Sequence, residues 1–237
     1  MKIKSRRQRE IEYAKEFSNI SDDIYERLVN KLGDKFNENL INMVNYRINE
    51  IKDNVEYKSI KIVFYEEPIQ TNRPRTNYHT HTTYVPNAKE NHDAIENFIK
   101  KVASDIKLIS VPMNISIDAY LKMPENISPL EMVMYETKND YAAIKPDHDN
   151  IMKAYCDMII NNIILDDDII SSSNFNKYFS LKPRVEITIT YTNGFASEYT
   201  YQKITSRKSY KENKDMIDAN LLVSRYKDIK RRKDLST

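Results

Sequence analysis

The sequence has few of the residues that shape loops or cross-link secreted proteins. It contains 2 glycines, 1 cysteine and no tryptophan in 237 residues. So little glycine excludes a collagen-like chain or an array of Gly/Ser linkers. The single cysteine, Cys156, excludes an internal disulfide and a cysteine-based zinc cluster, and it indicates a reducing compartment. No apolar run approaches the roughly 20 residues of a membrane span, and no apolar stretch follows the basic start as in a secretory signal. We therefore expect a cytoplasmic protein.

Neither sign of charge dominates the whole chain, but both of its ends are basic. The formal net charge is +2, from 37 Lys and Arg and 35 Asp and Glu. Residues 1–10 hold five basic residues and one acid, and residues 203–237 hold eleven basic residues and five acids. Basic segments attract polyanions such as nucleic acid through counterion release. A tail that only keeps the protein in solution has the same composition.

Hydrophobic periodicity predicts an α+β fold in three parts. Residues 1–55 have apolar positions at helical spacing and are predicted to form an N-terminal helical extension. Residues 56–194 are predicted to form the core, a small mixed β-sheet packed with helices. Alternating stretches within it predict strands at 59–65, 114–121 and 185–191, while 124–140 is expected to be a loop or insertion. The remaining residues, 195–237, are a basic C-terminal extension.

The most informative stretch begins with the residues Lys-Pro-Asp-His-Asp-Asn at 145–150. In an extended chain, the carboxylates of Asp147 and Asp149 point the same way. Asp149 or Asn150 can then cap a helix whose apolar side is buried. The opposite side of that helix carries Asp149, Lys153 and Asp157 at four-residue spacing, so the ammonium lies beside the carboxylates.

A second acidic group, residues 166–168, consists of three successive aspartates after an apolar run. Burying such carboxylates costs free energy unless a cation or water compensates their charge. If this group folds back against the helix start, three or four carboxylates surround one point. An all-oxygen set of ligands suits Mg²⁺ or Mn²⁺ rather than zinc. A solvated acidic turn explains the same residues more simply, and spacing alone does not decide between the two.

The whole string resembles the signature of the RusA family of Holliday-junction resolvases, found mostly in phages and prophages. That signature, Pro-Asp-x-Asp-Asn-x-x-Lys-Ala, is matched at every fixed position by residues 146–154, and Asp157 matches a common later aspartate. Upstream, residues 64–68 followed by Arg73-Pro74-Arg75 resemble the family's first strand and basic loop. Downstream, residues 185–191 fall where the family ends its sheet. The resemblance covers roughly residues 58–192.

The resemblance implies a magnesium-dependent endodeoxyribonuclease that resolves four-way DNA junctions as a homodimer, with Mn²⁺ as a possible substitute metal. Such a protein would be phage- or prophage-encoded and would act in the bacterial cytoplasm. By position, Asp147, Asp149 and the second aspartate of an acidic pair would bind Mg²⁺, and Lys153 would be the essential lysine.

The acidic triplet leaves the position of that pair open. Aligning Ile170 with the following strand favours Asp167 as the ligand, whereas a connection one residue longer favours Asp168. If the segment is extended, neighbouring side chains face opposite ways, so Asp167 points inward while Asp166 and Asp168 point outward, or the reverse. Both Asp167 and Asp168 are therefore kept as candidate metal ligands, with Asp167 as the candidate catalytic residue.

Cations on both sides of the motif are candidates for contact with the DNA backbone. The predicted DNA-binding residues are Arg73, Arg75, Lys145 and Lys177.

Two other functions fit the same residues. One is a nuclease for other branched DNA, such as forks or flaps. The other is a non-catalytic DNA-binding structural protein whose acidic site has lost activity. The complete set of clustered acids with its lysine argues against the second alternative, because a site without catalysis has no need to keep costly clustered carboxylates.

Overall fold

A computed structural model describes residues 20–54, 56–71, 75–77, 82–84, 90–104, 106–194 and 198–218. The chain forms two compact units, Met1–Val55 and Glu56–Thr237. Each unit is described by itself.

The first unit is helical over its described residues, as predicted. Helix α1 (Asp22–Leu32) and helix α2 (Glu38–Asn54) are separated by a 3₁₀ turn, Gly33–Lys35. Helix α1 ends at Gly33, whose φ of 52° is a left-handed value that glycine adopts without a Cβ clash. The rings of Tyr25 and Phe36 pack edge to face with centroids 5.7 Å apart.

A four-stranded mixed sheet forms the base of the second unit, in the strand order β1-β6-β4-β5. Strand β6 pairs antiparallel with both β1 and β4, whereas β4 and β5 are parallel. A separate ribbon, β2 with β3, pairs Arg75 with Tyr84. The strands are β1 (Tyr57–Phe64), β2 (Arg75–Asn77), β3 (Thr82–Tyr84), β4 (Met113–Lys122), β5 (Ile170–Ser180) and β6 (Arg184–Thr192).

Five helices accompany the described strands of this unit: α3 (Glu90–Ala103), α4 (Pro129–Glu136), α5 (His148–Ile159), α6 (Glu198–Thr205) and α7 (Lys208–Glu212). Their combination with the mixed sheet confirms the α+β prediction. In the parts of the chain that the structure describes, no helix has both the length and the apolar character to cross a membrane.

The core lies between one face of the sheet and the apolar side of α5. Strand β4 buries alternate residues, and α5 buries residues at the predicted helical spacing. The main core cluster includes Ile115 and Ile117 of β4, Val185, Ile187 and Ile189 of β6, and Ile151, Ala154, Tyr155, Met158 and Ile159 of α5.

The prediction of a loop or insertion at residues 124–140 is wrong at its centre, where α4 forms. The Ser128 side chain accepts a hydrogen bond from the Glu131 backbone N–H at 3.2 Å, and the Glu131 carboxylate accepts one from the Ser128 N–H. This capping box, with Pro129 at the first helical position, is a local signal for a helix start. The sequence therefore contains a signal for this helix, but the signal spans only the four residues 128–131.

The C-terminal extension is part of the core as far as Asp218, rather than only a basic tail. Ile204 and Ile217 are buried in the main cluster. Leu108 bridges to Ile217 in parallel fashion, and the Leu108 N–H donates to the Met216 carbonyl at 2.9 Å. The neighbouring residue, Ile109, bridges to Ile164. Residues 108–109 therefore link the C-terminal extension to the segment that leads into the acidic triplet.

Candidate active site

The motif residues Asp147 and Asp149 lie at the N-terminus of α5. Asp147 is the N-cap residue, in extended conformation, and Asp149 is in the first helical turn. The prediction that Asp149 or Asn150 caps the helix is therefore wrong, and the extended conformation predicted for both aspartates holds for Asp147 but not for Asp149. The Asp147 side chain makes no capping hydrogen bond. Both carboxylates still lie near the positive end of the helix dipole, which favours negative charge.

Lys153 follows Asp149 by one helical turn, as predicted, and both side chains are exposed. Asp157 is also exposed, one further turn along. The polar side of α5 thus carries a carboxylate, an ammonium and a second carboxylate in a row. A row of this kind can contact an anionic ligand through the lysine.

Lys177 of β5 supports the loop that leads into the motif. Its ammonium donates a hydrogen bond to the Pro146 carbonyl at 2.9 Å and another to the Ile144 carbonyl. The Lys177 carbonyl accepts one from the Ala142 N–H at 2.8 Å. Lys177 was predicted to bind DNA, and the structure places its ammonium on backbone carbonyls next to Asp147. The other lysine predicted for DNA, Lys145, is exposed.

The acidic triplet forms a 3₁₀ turn, Asp167–Ile169, rather than an extended segment. The alternation argument for Asp167 inward and its neighbours outward therefore does not apply. Asp166 caps this turn, and its side chain accepts a hydrogen bond from the Asp167 N–H at 3.0 Å. Burial and the neighbouring Asp167 and Asp168 side chains raise the pKa of Asp166 above its ordinary value.

Asp168 forms an ion pair with Arg207, the N-cap residue of α7. The Arg207 side chain is 28% exposed and that of Asp168 is 53% exposed. A charged partner from the C-terminal extension therefore engages one of the two candidate metal ligands in the triplet. No sequence signal pointed to Arg207, because the two residues are 39 positions apart.

Asp167 lies close enough to α5 to influence Cys156. Burial raises the pKa of the Cys156 thiol to about 11, and the charges of Asp157 and Asp167 add to the effect. A thiol with so high a pKa is protonated at neutral pH, which argues against a nucleophilic cysteine. Ile169 of the acidic turn is buried in the same core cluster as the apolar side of α5.

The predicted metal ligands are not gathered into a complete metal site. Among the described residues, which include all four predicted ligands, no three His, Cys, Asp or Glu side chains are close enough to hold a metal ion. The chemistry of the donors suits a hard cation, because they are carboxylates without thiolate or imidazole. Their present arrangement does not, since Asp166 caps a turn and Asp168 pairs with Arg207.

The segment that carries the predicted basic loop starts beside the motif. The Thr71 N–H donates to the Asn150 carbonyl at 3.0 Å, and the Ile69 N–H donates to the Tyr155 hydroxyl at 3.3 Å. Arg73 is outside the described residues, and Arg75 is the first residue of β2. The backbone two positions before Arg73 thus contacts the first turn of α5.

Comparison with known proteins gives two findings. The family described as "Endodeoxyribonuclease RusA" matches residues 66–190, which is just over half of the chain. An uncharacterized protein of Bacillus subtilis (strain 168), YqaN, is 26% identical over 136 residues, covering 55% of this chain and 94% of YqaN. The region matched by the family contains the motif helix, the acidic triplet and most of strand β6.

Proposed function

The chain belongs to the RusA family of endodeoxyribonucleases, and on that premise we propose that it is a magnesium-dependent, structure-specific endonuclease that resolves four-way DNA junctions. The observation that carries the proposal is the coincidence of the family match with the motif at residues 146–154. The motif begins at a helix start, where Asp147, whose side chain makes no capping hydrogen bond, and Lys153 are both exposed.

Four aspartates would hold the cation in this proposal: Asp147, Asp149, Asp167 and Asp168. When bound to such carboxylates, Mg²⁺ or Mn²⁺ activates water and stabilises the charge on phosphoryl oxygens. Because the described carboxylates do not form a three-ligand set, they would have to come closer together before they could share one ion.

The side chains of the protein have separate tasks in the proposed reaction. Lys153, one turn after Asp149, contacts the phosphate and offsets the negative charge that develops during cleavage. Lys177 keeps the residues before Asp147 in place through the Ile144 and Pro146 carbonyls. The predicted cations Arg73, Arg75 and Lys145 would contact the DNA backbone next to the motif.

Symmetric cleavage of a four-way junction requires two active sites, so we propose that the active form is a two-fold homodimer. Sedimentation of the protein with and without a four-way junction tests this part. Two protein chains for each junction are expected, and one chain bound to a junction that is cut on both strands would contradict it.

Parallel cleavage assays test the proposed substrate. A four-way junction, a three-way junction, a fork, a flap and a linear duplex are each incubated with the protein, with and without Mg²⁺. Paired cuts in the four-way junction that require Mg²⁺ are expected. Preference for the fork or flap would favour a nuclease for other branched DNA. Tight junction binding without cleavage by any metal would indicate a DNA-binding structural protein.

A further inference from the structure

Arg207 lies outside the region matched by the nuclease family, yet it contacts the acidic triplet inside it. The family match ends at residue 190, and Arg207 is the N-cap residue of α7 in the C-terminal extension. Its guanidinium pairs with the Asp168 carboxylate. The contact therefore joins a segment outside the family match with a residue of the proposed active site.

The extension is held firmly enough to place this arginine. Ile204, three residues before Arg207, is 3% exposed, and Ile217 is 2% exposed. On the far side, the Asp218 N–H donates to the Leu108 carbonyl at 3.3 Å. The Arg207 N–H donates to the Ile204 carbonyl at 3.2 Å, which ties its backbone to the end of α6. The backbone on both sides of Arg207 is thus held to the core, which keeps the guanidinium within reach of Asp168.

The acid is placed by the same part of the core. Leu165, directly before the triplet, donates its N–H to the Ile109 carbonyl at 2.9 Å. Leu108 thus pairs with Ile217, in the segment that carries Arg207. Its neighbour Ile109 pairs with Ile164, in the segment that carries Asp168. The segments that carry the two partners of the ion pair are therefore both bonded to residues 108–109.

We propose that Arg207 is a positioning residue of the nuclease site that exchanges Asp168 for a DNA phosphate. Without DNA, the guanidinium holds Asp168 and keeps this carboxylate from a metal ion. When DNA binds, a phosphate takes the guanidinium, because Arg forms strong two-point hydrogen bonds with phosphate as it does with carboxylate. Asp168 is then released to join the other aspartates. This inference rests on the proposed function.

The exchange accounts for two observations together. The candidate ligands are not assembled among the described residues, and one of them is paired with an arginine. It also provides a way to delay assembly of the metal site until a substrate is present. The pair is partly exposed, so a phosphate can reach the guanidinium without opening the core.

Arg207→Gln tests the exchange in two assays that require no cleavage. Binding of a four-way junction in EDTA should weaken by about tenfold, and the slope of log K against log salt should fall by about one. Mg²⁺ titrated alone into the DNA-free protein should bind about threefold or more tightly, because it no longer competes with the guanidinium. Lys208→Gln is the matched control. It removes one positive charge from the same segment, at a side chain that is 86% exposed and paired with Glu212.

Equal behaviour of Arg207→Gln and Lys208→Gln in both assays would overturn the proposal and leave a surface ion pair. Asp168→Asn gives an independent test if Arg207→Gln fails to fold. It releases the guanidinium, so metal-free junction binding should become several-fold tighter, and unchanged binding would overturn the exchange. In the double variant this gain should be reduced, since the two residues act on each other.

The Mg²⁺ titration separates this inference from the proposed function. If the protein cuts none of the branched substrates, the proposed function fails, while the metal affinity of the Arg207→Gln protein still reports on the pair. If the protein cuts junctions and Arg207→Gln matches its control, only the exchange fails.

Discussion

The aspartates around α5 differ in what their side chains already do. Asp147 makes no capping hydrogen bond, whereas Asp166 accepts one from the Asp167 N–H and Asp168 is paired with Arg207. A carboxylate already engaged in a hydrogen bond or ion pair loses that interaction when it binds a cation. The residues of one acidic group are therefore not equivalent, and single substitutions should separate them.

Asp147→Asn and Asp149→Asn should each abolish cleavage while junction binding is preserved or becomes tighter. The change keeps the shape of the side chain but removes a ligand charge, and it also reduces repulsion of the phosphates. Gel-based cleavage and anisotropy titration of the same junction measure the two effects. Asp140→Asn, an exposed aspartate in the preceding loop, is the matched control. Normal cleavage by the Asp147 and Asp149 variants at millimolar Mg²⁺ would exclude these residues as metal ligands.

Within the triplet, Asp167→Asn and Asp168→Asn should each reduce the cleavage rate by about a hundredfold or more, as removal of one key charge at a phosphoryl-transfer site does. Asp166→Asn should be much milder, because an asparagine oxygen can still accept the hydrogen bond from the Asp167 N–H. Single-turnover cleavage rates compare the three variants. If all three are tolerated equally, the second half of the site lies elsewhere in the chain.

At the scale of elements, strand β5 holds the loop before α5 in place through hydrogen bonds from Lys177. The Lys177 side chain crosses from the strand to the loop and binds two carbonyls, one of them directly before Asp147. In the sheet, Glu186 of β6 binds Lys61 at 2.8 Å and Arg184 at 2.6 Å. Both arrangements hold neighbouring segments together through charged side chains.

Lys177→Met should lower the free energy of unfolding by about 1–3 kcal/mol, the usual contribution of hydrogen bonds from a charged group. Cleavage should also fall, because the loop before Asp147 loses its support. Urea unfolding and cleavage rates measure the two effects, with Lys122→Met as the control on an exposed lysine at the end of β4. Unchanged stability with weakened DNA binding would instead support direct contact between Lys177 and DNA.

Glu186→Gln should destabilise the protein at pH 7, and the difference should disappear in acid. Burial opposes ionisation of Glu186, but hydrogen bonds from Lys61 and Arg184 outweigh it and hold the pKa below its ordinary value. A lowered pKa adds stability above the unfolded-state pKa of about 4.3, and this stability is lost as the pH falls through the folded-state pKa. Urea unfolding at pH 7 should show a loss of about 1–2 kcal/mol. A loss of the same size at pH 3 would contradict the assignment.

At the scale of the whole molecule, the C-terminal extension has two chemically different parts. Residues 198–218 contribute buried side chains to the core. Residues 219–237 lie outside the described residues and contain six basic residues and two acids. The basic character of the C-terminus therefore lies mainly beyond the segment that packs on the sheet.

Truncation after Gly194 should destabilise the fold, because it removes Ile204 and Ile217, each of which contributes about 2–5 kcal/mol when buried. Truncation after Asp218 should leave the fold intact but weaken DNA binding and flatten its salt dependence. Thermal unfolding and salt titrations of junction binding compare the two truncated proteins. If the shorter protein is as stable as the full chain, the packing of residues 198–218 does not contribute as described.

The sequence by itself determined the features that depend on local pattern. The apolar stripe of α5 and the alternation in β1, β4 and β6 were readable because each repeats within one element. The motif at residues 146–154 was readable for the same reason, since its positions are consecutive. The helix α4 also had a local signal, the capping box of Ser128 and Glu131, which is too short to stand out in a polar segment.

Only the tertiary structure decided the features that join distant positions. Most of β5 is serine and asparagine, residues of modest or low strand preference, and its parallel pairing with β4 makes it a strand. The triplet lies in a 3₁₀ turn whose last residue, Ile169, is buried in the main core cluster, so strand alternation was no guide to it. The contacts of Lys177 with Pro146 and of Arg207 with Asp168 span 31 and 39 positions. Periodicity reports which face of an element is buried, but it does not report which elements meet.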